Sequence, residues 1–332
     1  MTTMAKRGIF IGLLLLIVSG ATIYFTIDLD SISTLGTFNL TSLALAGLAL
    51  VMGMYFDGLR LQRLVRMGGY TLPLVAILRV IFGNYFMAML TPGASGGAVA
   101  QVLVLKSYGV PISKGTPIVL IRTVFSIMFL VIMLPLVFLR DAIEIPYISR
   151  DMLLIFAVLA VIATFLGTYI LQTKYMRQFV YNLAQRFKAH KTRDWLSKLE
   201  TLNQGLGLLY KQPIQSFIVF IESGLSLLSL YCIAPALMYA FTPDIPIIDI
   251  LDRMILLNLI LYFAPTPGGT GVAEGLFVYL FAAFLPVGTV GLVAVAWRIV
   301  AEYIPFFVGM YSVFTLYGQH IASSVSTSSE EV

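Results

Sequence analysis

Six stretches of the chain are almost wholly apolar: 8–27, 39–59, 116–139, 151–171, 214–241 and 288–317. A run of about 20 apolar residues crosses a hydrocarbon core of ~30 Å as a helix, so each predicts a membrane span. Two further runs behave differently. The run 73–90 ends at "TPGASGG" (91–97), and the run 246–264 ends at "PTPGGTG" (265–271). Each break is followed by a shorter apolar piece, 96–106 and 271–285. A limb of about 11 residues at ~1.5 Å each covers only half the core. The pattern therefore predicts two re-entrant hairpins that turn near the midplane, at Pro92-Gly93 and at Pro267-Gly268, and leave on the side they entered. The expected fold is all-α and polytopic, with six full spans and two broken-helix hairpins.

Composition agrees. Of 332 residues, 59% are hydrophobic and 11% charged, which no ordinary soluble core needs. The start, "MTTMAKRGIFIGLLLLIVSGATIYF", could pass for a signal peptide, but its long apolar run lacks a small-x-small cleavage site and reads as a retained first helix. A single cysteine, Cys232, excludes an intramolecular disulfide, and both histidines, His190 and His320, lie in polar segments. The net charge of +5 bears on loop placement rather than on nucleic acid. Lys6 and Arg7, then Arg60, Arg63 and Arg66, then Lys106 and Lys114, and the basic loop 172–213 with "RFKAHKTR" are expected on the cytoplasmic side. Segments 28–38 and 242–249 carry aspartates and no Lys or Arg, and are expected outside. Both termini then face the cytoplasm of a cell-membrane protein. The first hairpin opens inward and the second outward.

Landmarks recur along the chain. Arg79 and Arg253 are 174 residues apart, as are Asn84 and Asn258; Pro92-Gly93 and Pro267-Gly268 are 175 apart; Arg122 and Arg298 are 176 apart. This predicts internal repeats over about 39–139 and 214–317, of opposite orientation, within one domain spanning 1–332. The span 151–171 and the loop 172–213 join them. Chance similarity between Leu-rich segments is the bland alternative. Inverted repeats with broken helices are a transporter plan whose site lies at the repeat interface.

The chemistry gathers at the breaks. Each helix restart aims unpaired N–H groups and the positive end of a helix dipole into the membrane, where phosphate or carboxylate would bind. Gly96, Gly97, Gly269 and Gly271 are the candidate backbone donors, against the alternative that they only permit tight packing. Charges in a span pair or serve function, which singles out Arg122 and Arg298. Glu302 follows Arg298 by one turn, whereas Arg122 has no acid within a turn on either side, so its partner is elsewhere or is the substrate. Arg79 either joins the site or snorkels to headgroups. Arg253, beside Asp252, reads as structural. Glu274 either caps the second restart or binds a cationic headgroup or a proton. Gln101 is placed on the first half-helix, Trp297 is packing or a substrate contact, and Asp57 and Glu222 receive no role. "GASG" (93–96) matches the nucleophile motif of rhomboid proteases, but neither histidine lies in a span to serve as base. No P-loop, metal cluster or dinucleotide fingerprint is present, so neither cofactor nor enzyme activity is expected.

"TPGASGGAVAQVLVLKSYGVPISKG" and "PTPGGTGVAEGLFVYLFAAFLP" resemble the paired signatures of the lysylphosphatidylglycerol synthase transmembrane-region, or flippase-like, family. The second motif is the more specific. In the first, Ala94-Ser95 and Ala98-Val99 replace charged, bulky or acidic residues common in the family. The resemblance implies a flippase for an anionic, zwitterionic or aminoacylated lipid, with Arg122, Arg298 and the half-helix ends holding the headgroup. Family members that synthesise lipid carry a large soluble domain. This chain, ending "SSVSTSSEEV", is expected to be a stand-alone translocator whose partners are membrane lipids, with self-association left open. The competing class is an intramembrane lipid-modifying enzyme or a non-transporting partner subunit.

Overall fold

The computed structural model describes residues 38–91, 93–140, 150–171, 207 and 211–316. The span predicted at 8–27, Pro92, both histidines and nearly all of the loop 172–213 lie outside them. Every regular element among the described residues is helical. Helix α1 is Leu40–Met67, α2 Leu74–Leu90, α3 Ser95–Ser107, α4 Ile112–Leu139 and α5 Arg150–Leu171. Helices α6 (Pro213–Tyr231) and α7 (Ile233–Met238) follow, then α8 (Ile247–Leu261), α9 (Val272–Phe281) and α10 (Val290–Arg298), which continues helically to Leu316. Among the described residues, four stretches are long and apolar enough to cross a membrane: α1, α4, α6 with α7, and α10 with its continuation.

The helix ends have local causes. Asn39 caps α1 by accepting the Ser42 amide at 2.7 Å. Prolines open α2, α4, α6 and α8 at Pro73, Pro111, Pro213 and Pro246, where a missing N–H costs nothing. Pro235 cannot donate to the carbonyl one turn back, and the chain breaks at Cys232 between α6 and α7. Pro305 has the same effect on α10. The preceding turn, Ile299–Tyr303, widens to a π-helix in which the Ile304 amide reaches the Ile299 carbonyl.

Both broken elements are present. Helices α2 and α3 have 17 and 13 residues, and α8 and α9 have 15 and 10. No limb reaches the ~20 residues of a span. Each hairpin is followed by a long helix, α4 or α10, and preceded by another, α1 or α6 with α7. One prediction needs correction. Helix α1 does not stop near residue 59 before a basic loop; it runs to Met67 and carries Arg60, Arg63 and Arg66 within it. Hydropathy falls there, but Arg60 and Arg63 find protein acceptors, so the helix has no reason to end.

Packing relies on close backbone approach. Helix α1 lies along α6 and α7, and a Cβ on Gly53 would stand 2.6 Å from Leu230. The tightest contact joins α10's continuation to α2: a Cβ on Gly309 would stand 2.1 Å from the Phe82 carbonyl oxygen. Backbone cannot yield as a flexible side chain does. Gly309→Ala is expected to lower stability by about 2–3 kcal/mol through overpacking. Gly47→Ala, whose Cβ meets nothing within 4 Å, should be neutral or slightly stabilising. Thermal unfolding in detergent separates the two; equal melting would contradict this helix contact. Outward positions such as Leu74, Phe156, Phe263 and Tyr311 are apolar and exposed, as a lipid-facing surface requires.

Candidate functional site

The hairpin tips share one backbone solution. Gly93 and Gly268 have φ of 59° and 58°, a left-handed conformation that glycine adopts without penalty. Ala94 follows at φ 53°, the only non-glycine with positive φ among the described residues, and its Cβ makes that costly by about 1 kcal/mol. The tips approach one another. A Cβ on Gly268 would stand 2.9 Å from Met89 Cγ, in the last turn of α2.

The glycine amides do not behave as expected. The Gly96 amide donates to Thr91 Oγ1 at 2.8 Å, and the Gly97 amide to the Ala94 carbonyl at 3.1 Å. The Gly269 amide donates to the Thr266 carbonyl at 3.1 Å, and the Gly271 amide to Glu274 Oε2 at 2.7 Å. The tight tips fold their own acceptors back onto these donors. The four glycines are thus packing and turn residues rather than free anion donors. A Cβ on Gly97 would fall 2.4 Å from Asn84 Oδ1, and one on Gly96 2.7 Å from Thr91 Cγ2.

The charges are arranged in two buried clusters. Asp57 on α1, 3% exposed, accepts from Arg60 Nε at 2.5 Å and from Arg122 Nε at 3.1 Å, with a second Arg122 bond from Nη2 to Oδ2. Arg60 Nη1 also donates to Ser126 Oγ at 2.8 Å. Arg122 Nη1 donates to Gln101 Oε1, and Gln101 Nε2 donates to Asn84 Oδ1 at 2.7 Å. Arg122's missing acid is therefore Asp57, one helix away, and Gln101 ties the network to the first hairpin. In the second cluster Arg298, 1% exposed, donates from Nε to Glu274 Oε1 at 2.9 Å, from Nη1 to Glu302 Oε2, and from Nη2 to the Gly268 carbonyl at 2.9 Å. Glu274 thus caps the restart and binds Arg298 at once. The side chains of Glu274 and Glu302 keep 25% and 23% of their surface open.

Tyrosines join the clusters. Tyr85 on α2 lies within electrostatic reach of Asp57, Arg122, Arg60 and Glu302. The π-helical turn bearing Glu302 packs against α1, which bears Asp57. Tyr262, at the end of α8, meets the Ser126 hydroxyl and the first cluster, yet is 40% exposed. Tyr262 therefore joins an open surface to the buried charges of the first cluster. Tyr231, 3% exposed, brings a hydroxyl with no partner among the described residues near Tyr262, Tyr85 and Arg60.

Other predicted residues stand apart. Arg79 donates to the Tyr108 hydroxyl at 2.7 Å, at the far end of the first hairpin, and joins neither cluster. Arg253 donates to the Asp249 carbonyl at 3.3 Å and covers the Phe284 ring, while Asp252 pairs with Arg140 at 3.2 Å. Trp297 stacks on Phe277 in the core. Glu222 pairs with Arg63 at 2.7 Å, fastening α6 to α1.

The sequence pattern of the family described as "Lysylphosphatidylglycerol synthase TM region" matches residues 8–309, across both hairpins and both clusters. The chain belongs to that family. A UPF0104 membrane protein from Archaeoglobus fulgidus is 21% identical over 264 residues, 77% of this chain and 80% of that protein. Within this lysylphosphatidylglycerol synthase TM-region chain, sequence reasoning missed Asp57 and Arg60. A signal existed: an aspartate and an arginine three residues apart on an apolar helix, while Arg122 lacked an acid.

Proposed function

We propose that this protein is a lipid flippase, moving a phospholipid or another polar anionic or aminoacylated lipid between leaflets. The headgroup occupies the space beside Tyr262 where the hairpin tips meet, and its phosphate engages Arg122 and Arg60. The acyl chains stay in the bilayer. The repeats 39–139 and 214–317, inverted in the membrane of the cell with both termini cytoplasmic, rock against one another to expose the headgroup to either side. What carries this reading is the open Tyr262 surface beside buried charge at the junction of two broken helices. Buried charge of this kind in a membrane marks a substrate path.

Leaflet exchange of acyl-labelled phospholipid in proteoliposomes tests it. Wild-type protein should exchange lipid well above empty vesicles. Arg122→Gln, matched for folded protein, should fall by about tenfold or more, since a charged hydrogen-bond donor to phosphate is lost. Exchange no faster than in empty vesicles would overturn the proposal.

A further inference from the structure

The two clusters carry opposite charge. Around Asp57 stand two guanidiniums and one carboxylate, an excess of one positive charge. Around Arg298 stand one guanidinium and two carboxylates, an excess of one negative charge. The equivalent arginines of the two halves thus sit in environments of opposite sign. Isolated excess charge in a low-dielectric interior is costly. Placing the excesses on adjoining helices, with Tyr85 within reach of both, reduces that cost and leaves charge of opposite sign on neighbouring elements. Each cluster has an open group: Tyr262 beside the positive one, and Glu274 and Glu302 in the negative one. The Tyr231 hydroxyl, buried near Arg60, has no partner among the described residues and is a further polar group an occupant could satisfy.

The geometry points to a zwitterionic lipid headgroup as the occupant, with its phosphate at Arg60 and Arg122 and its primary ammonium at Glu274 and Glu302. This rests on the transport reading above and narrows it to one charge class. An anionic headgroup without an amine would satisfy the positive end only and leave the carboxylates to repel it. Complementary pairs at both ends favour the zwitterion, and the misplaced negative charge excludes the anion.

The test uses the full chain in proteoliposomes and three acyl-labelled lipids: phosphatidylethanolamine, phosphatidylcholine and phosphatidylglycerol. Phosphatidylethanolamine should exchange about tenfold or more faster than phosphatidylglycerol, roughly the discrimination that one unsatisfied charge contact gives. Phosphatidylcholine, whose quaternary ammonium has no N–H to donate, should fall between them. Glu302→Gln should slow ethanolamine exchange more than glycerol exchange and so bring their ratio toward one. Because the wild-type headgroup series needs no mutant, a variant that fails to fold does not decide the outcome. Equal or faster exchange of phosphatidylglycerol by wild type overturns the zwitterion assignment and leaves a flippase standing. Failure of all three lipids to exceed empty vesicles overturns both. Accumulation of radiolabelled phosphoethanolamine inside the same vesicles would mean a soluble solute is carried, and would overturn the lipid assignment.

Discussion

Asp57→Asn is expected to cost this protein about 3–5 kcal/mol, the range seen when one partner of a buried ion pair is removed. The carboxylate is the shared acceptor of two guanidiniums, each 6 or 5% exposed. Asparagine keeps the shape and one acceptor oxygen, but leaves two positive charges with no negative partner in the cluster. Total stabilities are typically about 5–15 kcal/mol, so such a loss is a large share. The variant should melt far below wild type in detergent and elute with aggregate. Arg122→Gln alone should be milder, because it leaves Arg60 and Asp57 as a neutral pair. Asp57→Asn combined with Arg122→Gln removes one charge of each sign, and should recover part of the single-mutant loss. That recovery, in a double-mutant cycle, distinguishes a charge network from a merely polar core. Wild-type melting of Asp57→Asn would contradict the pairing of α1 with α4.

Among the described residues the hydropathy pattern located both broken elements and the long helices to within a few residues, the end of α1 excepted, because membrane thickness sets element length. The breaks were legible for the same reason: Pro-Gly in hydrocarbon is costly unless it has a purpose. Side-chain partners were less legible. Glu302 was visible beside Arg298 because helical spacing brings i and i+4 together. Asp57 was invisible as Arg122's partner, since 65 residues separate them and only packing brings α1 against α4. The extension of α1 to Met67 was hidden because Arg60, read as a loop charge, is instead neutralised by Asp57 one turn away. The glycine amides misled for a related reason: the sequence shows donors at a helix start, but not that Thr91 or Glu274 will occupy them.

Arg298→Lys should separate folding from transport in the second cluster. The arginine makes three bonds to three places: Glu274 on α9, Glu302 on its own π-helical turn, and the Gly268 carbonyl at the hairpin tip. A guanidinium presents its donors in a fixed fork, whereas an ammonium is a single point of charge on a flexible stem. Lysine would keep the cluster's charge and so hold the fold, but would not reach all three acceptors. The freed carbonyl belongs to the tip that meets Met89 of the first hairpin, so its loss loosens the contact between the two halves. Lipid exchange is expected to drop by about tenfold to a hundredfold, the scale of a small misplacement in a preorganised site, while melting stays near wild type. Arg298→Met should instead leave two carboxylates unpaired and fail to fold well. Adding Glu274→Gln and Glu302→Gln to Arg298→Met should restore melting without restoring exchange. If Arg298→Lys exchanged lipid at the wild-type rate, the guanidinium's grip on the tip would have no part in transport. The second hairpin would then act only as scaffold.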